Sequence, residues 1–152
     1  MILEEFENAI EELKRADHSI FATLKYTRSR DVVLSVLDRL STTFTYSVHA
    51  GLLYAKDKGS ISDVPEDLKS REYLFRQVYP DFTQMMDLYA LLRKVLNCPD
   101  YDVEQEFRKN LTLIAEVEGC GVRISVEDIE RYYAQIREFL NTLKTIFLNE
   151  DI

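Results

Sequence analysis

Apolar residues recur at alternating steps of three and four along the first part of the chain: Leu3, Phe6, Ile10, Leu13, Ile20 and Leu24 form one stripe that only Asp17 breaks. Such a stripe is one face of a helix, here spanning about residues 2–26. Val33, Leu37, Leu40, Phe44, Val48, Gly51 and Ala55 repeat the pattern over about residues 31–57. The connecting segment YTRSRD is short, which makes the two helices antiparallel neighbours. In a hairpin turning near residues 28 and 29, facing positions sum to about 57, so Leu24 faces Val33, Ile20 faces Leu37, Leu13 faces Phe44, and Phe6 faces Gly51. A large residue opposite a missing side chain is what close packing asks for. Asp17 falls opposite Leu40 with Arg39 beside it, so a partly buried ion pair is the structural role expected of it, with a catalytic carboxylate as the other reading.

The second helix contains LSTTFTYSVHAG, whose β-branched and hydroxyl residues are weak helix formers, so packing has to hold it helical. Thr43, Ser47 and Gly51 recur every four residues and make a narrow groove that lets another helix approach closely. Two uses are open, close packing within the chain or the seam of a homodimer.

Gly59 ends the second helix, and Asp63-Val-Pro-Glu66 offers a cap, a first-turn proline and a capping glutamate for a third helix starting near residue 64, with Leu68, Phe75 and Val78 inward. Pro80 interrupts it. A fourth helix follows with Phe82, Met85, Tyr89, Leu92 and Leu96 on its stripe, and the Met85-Met86 pair reads as core filler. Residues 97–102 read as loop and 103–109 as a short helical turn. In LTLIAEVEGCGVRIS the period changes to that of two short strands around a glycine turn, a β-hairpin near residues 111–125. Ser125-Val-Glu-Asp128 then forms a capping box, and a last helix runs to about residue 148 with Ile129, Tyr133, Ile136, Leu140, Leu143 and Phe147 inward. The expected architecture is all-α: one domain over residues 1–152, an antiparallel four- or five-helix up-and-down bundle with a short appended hairpin.

Composition narrows the function classes. Hydrophobic residues make up 46% and charged residues 30%, with only 4 Gly and 3 Pro, which is helix-former chemistry without a disordered tract. No apolar run is long enough to span a bilayer, and the start MILEEFENAIEEL carries acid where a signal peptide carries base, so a cytoplasmic protein is expected. The formal charge of −8 argues against broad binding to DNA or anionic membrane. Local cations remain: Lys25, Arg28 and Arg30 at the first turn, and Arg93, Lys94, Arg108 and Lys109 around CPDYD. They read either as solvated charges near helix ends or as an RNA contact.

Catalytic signatures are sparse. A di-metal carboxylate site in a helical bundle needs Glu-x-x-His, but Arg15 precedes His18 by three and Tyr46 precedes His49 by three. The two cysteines, Cys98 and Cys120, share no metal-ligand spacing with the two histidines, and they read as reduced thiols. The phosphate-cradling and nucleophile-elbow motifs are missing, so no metal and no cofactor is expected.

A long helical hairpin leading into GLLYAKDKGSISDVPEDLKSREYLFRQVYP, then LYALLRKVLNCPDYDVEQEFRKN, then LTLIAEVEGCGVRISVEDIERYYAQIREFLNTL, resembles the HEPN domains over most of the chain, with LLYAKDKG, LRKVLN and VRISVEDIERYY as the closest phrases. These are small helical proteins often found beside minimal nucleotidyltransferases in prokaryotic toxin–antitoxin modules. Active members carry Arg-x4-6-His near a helix end and cut RNA without metal across a dimer. Only the arginine transfers, onto Arg93, because positions 98, 99 and 100 are Cys, Pro and Asp. Acid–base work on RNA needs a group titrating near neutral pH, and Cys98 or Asp100 is a poor replacement for imidazole. The resemblance therefore implies a non-catalytic homodimer that binds a nucleotide, RNA or a nucleotidyltransferase partner, with Arg93, Lys94 and Arg108 as candidate binding residues. Two alternatives stand beside it, a divergent endoribonuclease using Arg93 and a structural protein–protein interaction module.

Overall fold

A computed structural model describes residues 1–149. It has five helices and one small antiparallel sheet. Helix α1 (Ile2–His18) runs on through a π-helical turn (Ser19–Thr23) and a last α-helical turn (Leu24–Tyr26), so the first apolar stripe is one continuous rod. Helix α2 (Arg30–Asp57) returns antiparallel to it, capped by Ser29, whose hydroxyl accepts from the Val32 N–H. Helix α3 (Leu68–Val78), a short 3-10 turn at Pro80–Phe82 and helix α4 (Thr83–Leu96) pack on α2. Strands β1 (Tyr101–Glu104), β2 (Thr112–Val117) and β3 (Cys120–Ser125) follow, and helix α5 (Val126–Asn149) closes the bundle.

The core is a row of aromatic rings centred on α2. Phe44 stacks on Tyr89 of α4 at 5.2 Å between centroids and meets Phe139 of α5 at 5.7 Å. Phe75 and Phe82 lie against the same Phe139 at 6.1 and 4.9 Å. Rings at these spacings add attraction beyond the area they bury. The buried hydroxyls of the second helix bond back to their own backbone, Thr43 to the Arg39 carbonyl at 2.9 Å and Ser47 to the Thr43 carbonyl at 2.7 Å. Thr43, Ser47 and Gly51 are all buried within the chain. A Cβ at Gly51 would come within 2.7 Å of the Phe75 ring, and the Tyr79 hydroxyl donates to the Gly51 carbonyl. The small residue therefore makes room for α3, and Phe6, expected opposite it, packs on Phe147 instead.

Several local expectations need correction. Asp17 is exposed, and Arg39 pairs instead with Glu12. Leu3 and Leu68 are exposed, at 66% and 41%. On α4 the fully buried methionine is Met86. The third helix starts at Leu68, capped by the Asp67 carboxylate on the Ser70 N–H, while residues 64–66 are non-helical. Residues 101–104, expected as loop running into a helical turn, form β1, so the expected hairpin is two-thirds of a three-stranded sheet in the order β1-β2-β3. Registers Tyr101↔Ala115↔Val122 and Val103↔Leu113↔Ile124 put these six residues on the face turned to the helices, and Ile114 falls on the other face between Asp102 and Arg123. The capping box is present: Ser125 N–H donates to Asp128, and Asp128 N–H donates to the Ser125 hydroxyl. No helix among the described residues is long and apolar enough to cross a membrane.

Candidate functional site: a cleft at Arg93

The β2–β3 connection is two residues, Glu118 and Gly119, with φ of 53° and 82°, the double left-handed turn that suits the twist of a hairpin. Its tip reaches the last turn of α4, where Glu118 Oε1 lies 2.8 Å from Lys94 Nζ. Between that tip, α4 and the first half of α3 runs a cleft in two lobes. One lobe, of about 670 Å³, is lined by Glu72, Tyr73, Arg76 and Asp87; the other, of about 480 Å³, reaches Cys98, Pro99 and Glu116. Lys69, Arg93, Lys94 and Glu118 line both and sit at the waist, three cations to one carboxylate, whereas Glu72 and Asp87 line only the first lobe and Glu116 only the second. In a chain of charge −8 this waist is locally cation-rich.

Arg93 is held from two sides. Its Nη2 pairs with the Glu72 carboxylate, and its guanidinium lies over the Tyr89 ring at 4.6 Å from the centroid. The Tyr89 hydroxyl is fixed in turn by Thr45 at 2.8 Å. Burial raises the Tyr89 phenol above its ordinary value despite that hydrogen bond, and burial lowers Arg93 below its own. A phenol raised in this way is neutral at neutral pH. Arg93 Nε has no hydrogen-bond partner within the protein. Arg76, beside it, bridges Glu72 and Asp87, its Nη1 lying 2.7 Å from Asp87 Oδ1.

Of the expected binding residues, Arg93 and Lys94 come together at the waist, while Arg108 lies on the exposed loop after β1, next to the α1–α2 turn, outside both lobes. Of the two candidate replacement bases, Cys98 lines the second lobe, with its thiol directed at the Lys94 and Glu116 carbonyls. Asp100 lines neither lobe. His49 is bonded to Glu5 at 2.7 Å. Among the described residues no group of three or more His, Cys, Asp or Glu is arranged to hold a metal ion.

Glu72, Lys69 and Glu118 escape a sequence reading. The spacing of Glu72 to Arg76 signals a local helix pair, but its second bond, to Arg93, spans two helices and follows only from how α3 packs on α4. Comparison with protein-family models, with curated proteins and with solved structures finds no match.

Proposed function

We propose that the chain is a non-catalytic, HEPN-like binding protein whose Arg93 cleft takes a nucleotide. The observation that carries this reading is the fixing of the motif arginine by Glu72 and Tyr89 at the waist of a cleft, beside Lys69 and Lys94. A guanidinium already held in place loses little freedom when it meets a phosphate, which favours binding. Exposed Tyr73 on the rim supplies a ring for a base. The order of the helices also supports the family reading: a long helical hairpin, two further helices and, after the three-stranded sheet, a closing helix.

The same reading makes the chain a homodimer, with a nucleotidyltransferase as an additional partner. The Thr43, Ser47 and Gly51 line is occupied from within, so the dimer face lies elsewhere. Light scattering at micromolar concentration checks it, a mass twice that of the chain being expected.

Thermal unfolding against mononucleotides and short RNAs tests the cleft. A ligand at about 100 times its dissociation constant, bound only by the folded state, adds about 2.7 kcal/mol. The increment should vanish in Arg93→Ala measured against its own ligand-free baseline. A shift that survives Arg93→Ala, or no shift with any nucleotide, overturns the reading. RNA cut by the wild type and spared by Arg93→Ala would turn it into the divergent ribonuclease.

A further inference from the structure

A second surface, at the α1–α2 turn, carries the opposite design. The loop after β1 folds back on that turn through three hydrogen bonds. Phe107 N–H donates to the Arg28 carbonyl at 2.7 Å, Arg28 Nη1 donates to the Lys109 carbonyl at 3.3 Å, and Arg30 N–H donates to Glu106 Oε2 at 3.0 Å. Cations 80 residues apart in sequence thereby share one patch: Lys25, Arg28 and Arg30 with Arg108 and Lys109. Two carboxylates face them. Glu106 is engaged with a backbone amide, and Asp31 lies 3.9 Å from Arg30.

Two aromatic side chains stand among these charges in water, Tyr26 at 82% and Phe107 at 72% exposed. Lys25 Nζ is 6.0 Å from the Tyr26 ring centroid. Phe107 is mostly uncovered, yet its backbone is in the left-handed region at φ 64°, as is Gln105 at φ 56°. A side chain with a Cβ is strained there, and so exposed a ring offsets little of that strain by packing.

We propose that this patch is a binding surface for single-stranded nucleic acid, separate from the Arg93 cleft. A flexible polyphosphate bearing flat bases is the polyanion whose chemistry uses both features at once, cations for phosphates and exposed rings for bases. An anionic lipid surface would use the charges but needs a larger apolar insertion than one phenylalanine and one tyrosine supply. The surface does not rest on the cleft reading, because it shares no residue with either lobe.

Fluorescence anisotropy with the full chain and a labelled single strand of about 15 nucleotides, uniform in sequence, reads it at low salt. Binding should weaken about 50-fold between about 50 and 200 mM salt if roughly four phosphates are neutralised. Phe107→Asn should weaken it about tenfold, as should Tyr26→Ser, each removing one stacking ring. Asn tolerates the left-handed backbone, so the loop keeps its shape. Lys144→Glu, a charge change on α5 outside the patch, should bind as the wild type does. No binding at low salt overturns the proposal. So does binding that survives loss of both rings together with Arg108→Ser and Lys109→Ser, or binding to anionic vesicles with none to the strand.

Discussion

The cleft and the α1–α2 turn use the same residue types in opposite ways. At the cleft three of the cations are wired to carboxylates: Arg93 to Glu72, Arg76 to Glu72 and Asp87, Lys94 to Glu118. At the turn the guanidinium of Arg28 and the amide of Arg30 tie the loop to the helices, and the charges of Arg108 and Lys109 face water. A wired cation is positioned and largely neutralised, so it discriminates by geometry against a small ligand. An unwired patch attracts by net charge and is tolerant of sequence. Stability should therefore depend strongly on the first set and weakly on the second, while salt dependence of binding should follow the second.

The sharpest way to break that contrast is Arg93→Ala. It leaves Glu72, at 13% exposure, with Arg76 as its remaining cation, and unfolding by denaturant should show a loss of about 2 kcal/mol. Replacing both members by methionine should recover most of it, since a packed apolar pair avoids the desolvation cost. A loss under about 0.5 kcal/mol, the level of an ordinary surface change, would mean the pair is not wired as described.

At the turn the sign should reverse. Phe107→Asn, which relieves the left-handed backbone without uncovering any buried group, should leave the protein about 0.5 kcal/mol more stable in the same denaturant series. Arg108→Ala and Lys109→Ala should stay within about 0.5 kcal/mol of wild type. Destabilisation by either would make the loop a structural clamp and not a free surface.

The smallest effect concerns Glu118. The Lys94 side chain, by hydrogen bond and then by charge, holds its carboxyl below the ordinary glutamate value. A folded-state pKa lowered in this way contributes stability that is present above the unfolded value and is lost as pH falls through the folded one. The difference in melting temperature between wild type and Glu118→Gln should thus be present at neutral pH and fade in acid below the ordinary glutamate range. A difference that persists there would point to packing of the hairpin tip.

What the sequence makes legible is local. The long hairpin is written in two apolar stripes, the β2–β3 turn in Glu-Gly between alternating residues, and the start of α5 in Ser125 and Asp128 three apart. Strand β1 is not legible, because Tyr101 and Val103 alternate with acids over only four residues and the strand exists by pairing with β2. Missing it also hid the patch, since β1 is what carries Arg108 and Lys109 back to the α1–α2 turn. The start of α3 falls four residues later than the sequence suggests for a chemical reason: Asp63 accepts from its neighbour Val64 and lies 3.4 Å from Lys56, and the carboxylate that caps the helix is that of Asp67. At the candidate site Arg93 and Lys94 were visible as residues, whereas the bond from Glu72 depends on the packing of two helices.

The most direct test of the cleft is a nucleotide titration followed residue by residue through backbone amide NMR signals. Shifts should be confined to Lys69, Glu72, Tyr73, Arg93, Lys94 and Glu118 and grow with a single dissociation constant. Shifts gathered at Tyr26 and Phe107 with none at Arg93, or no shifts at all, would contradict the cleft reading.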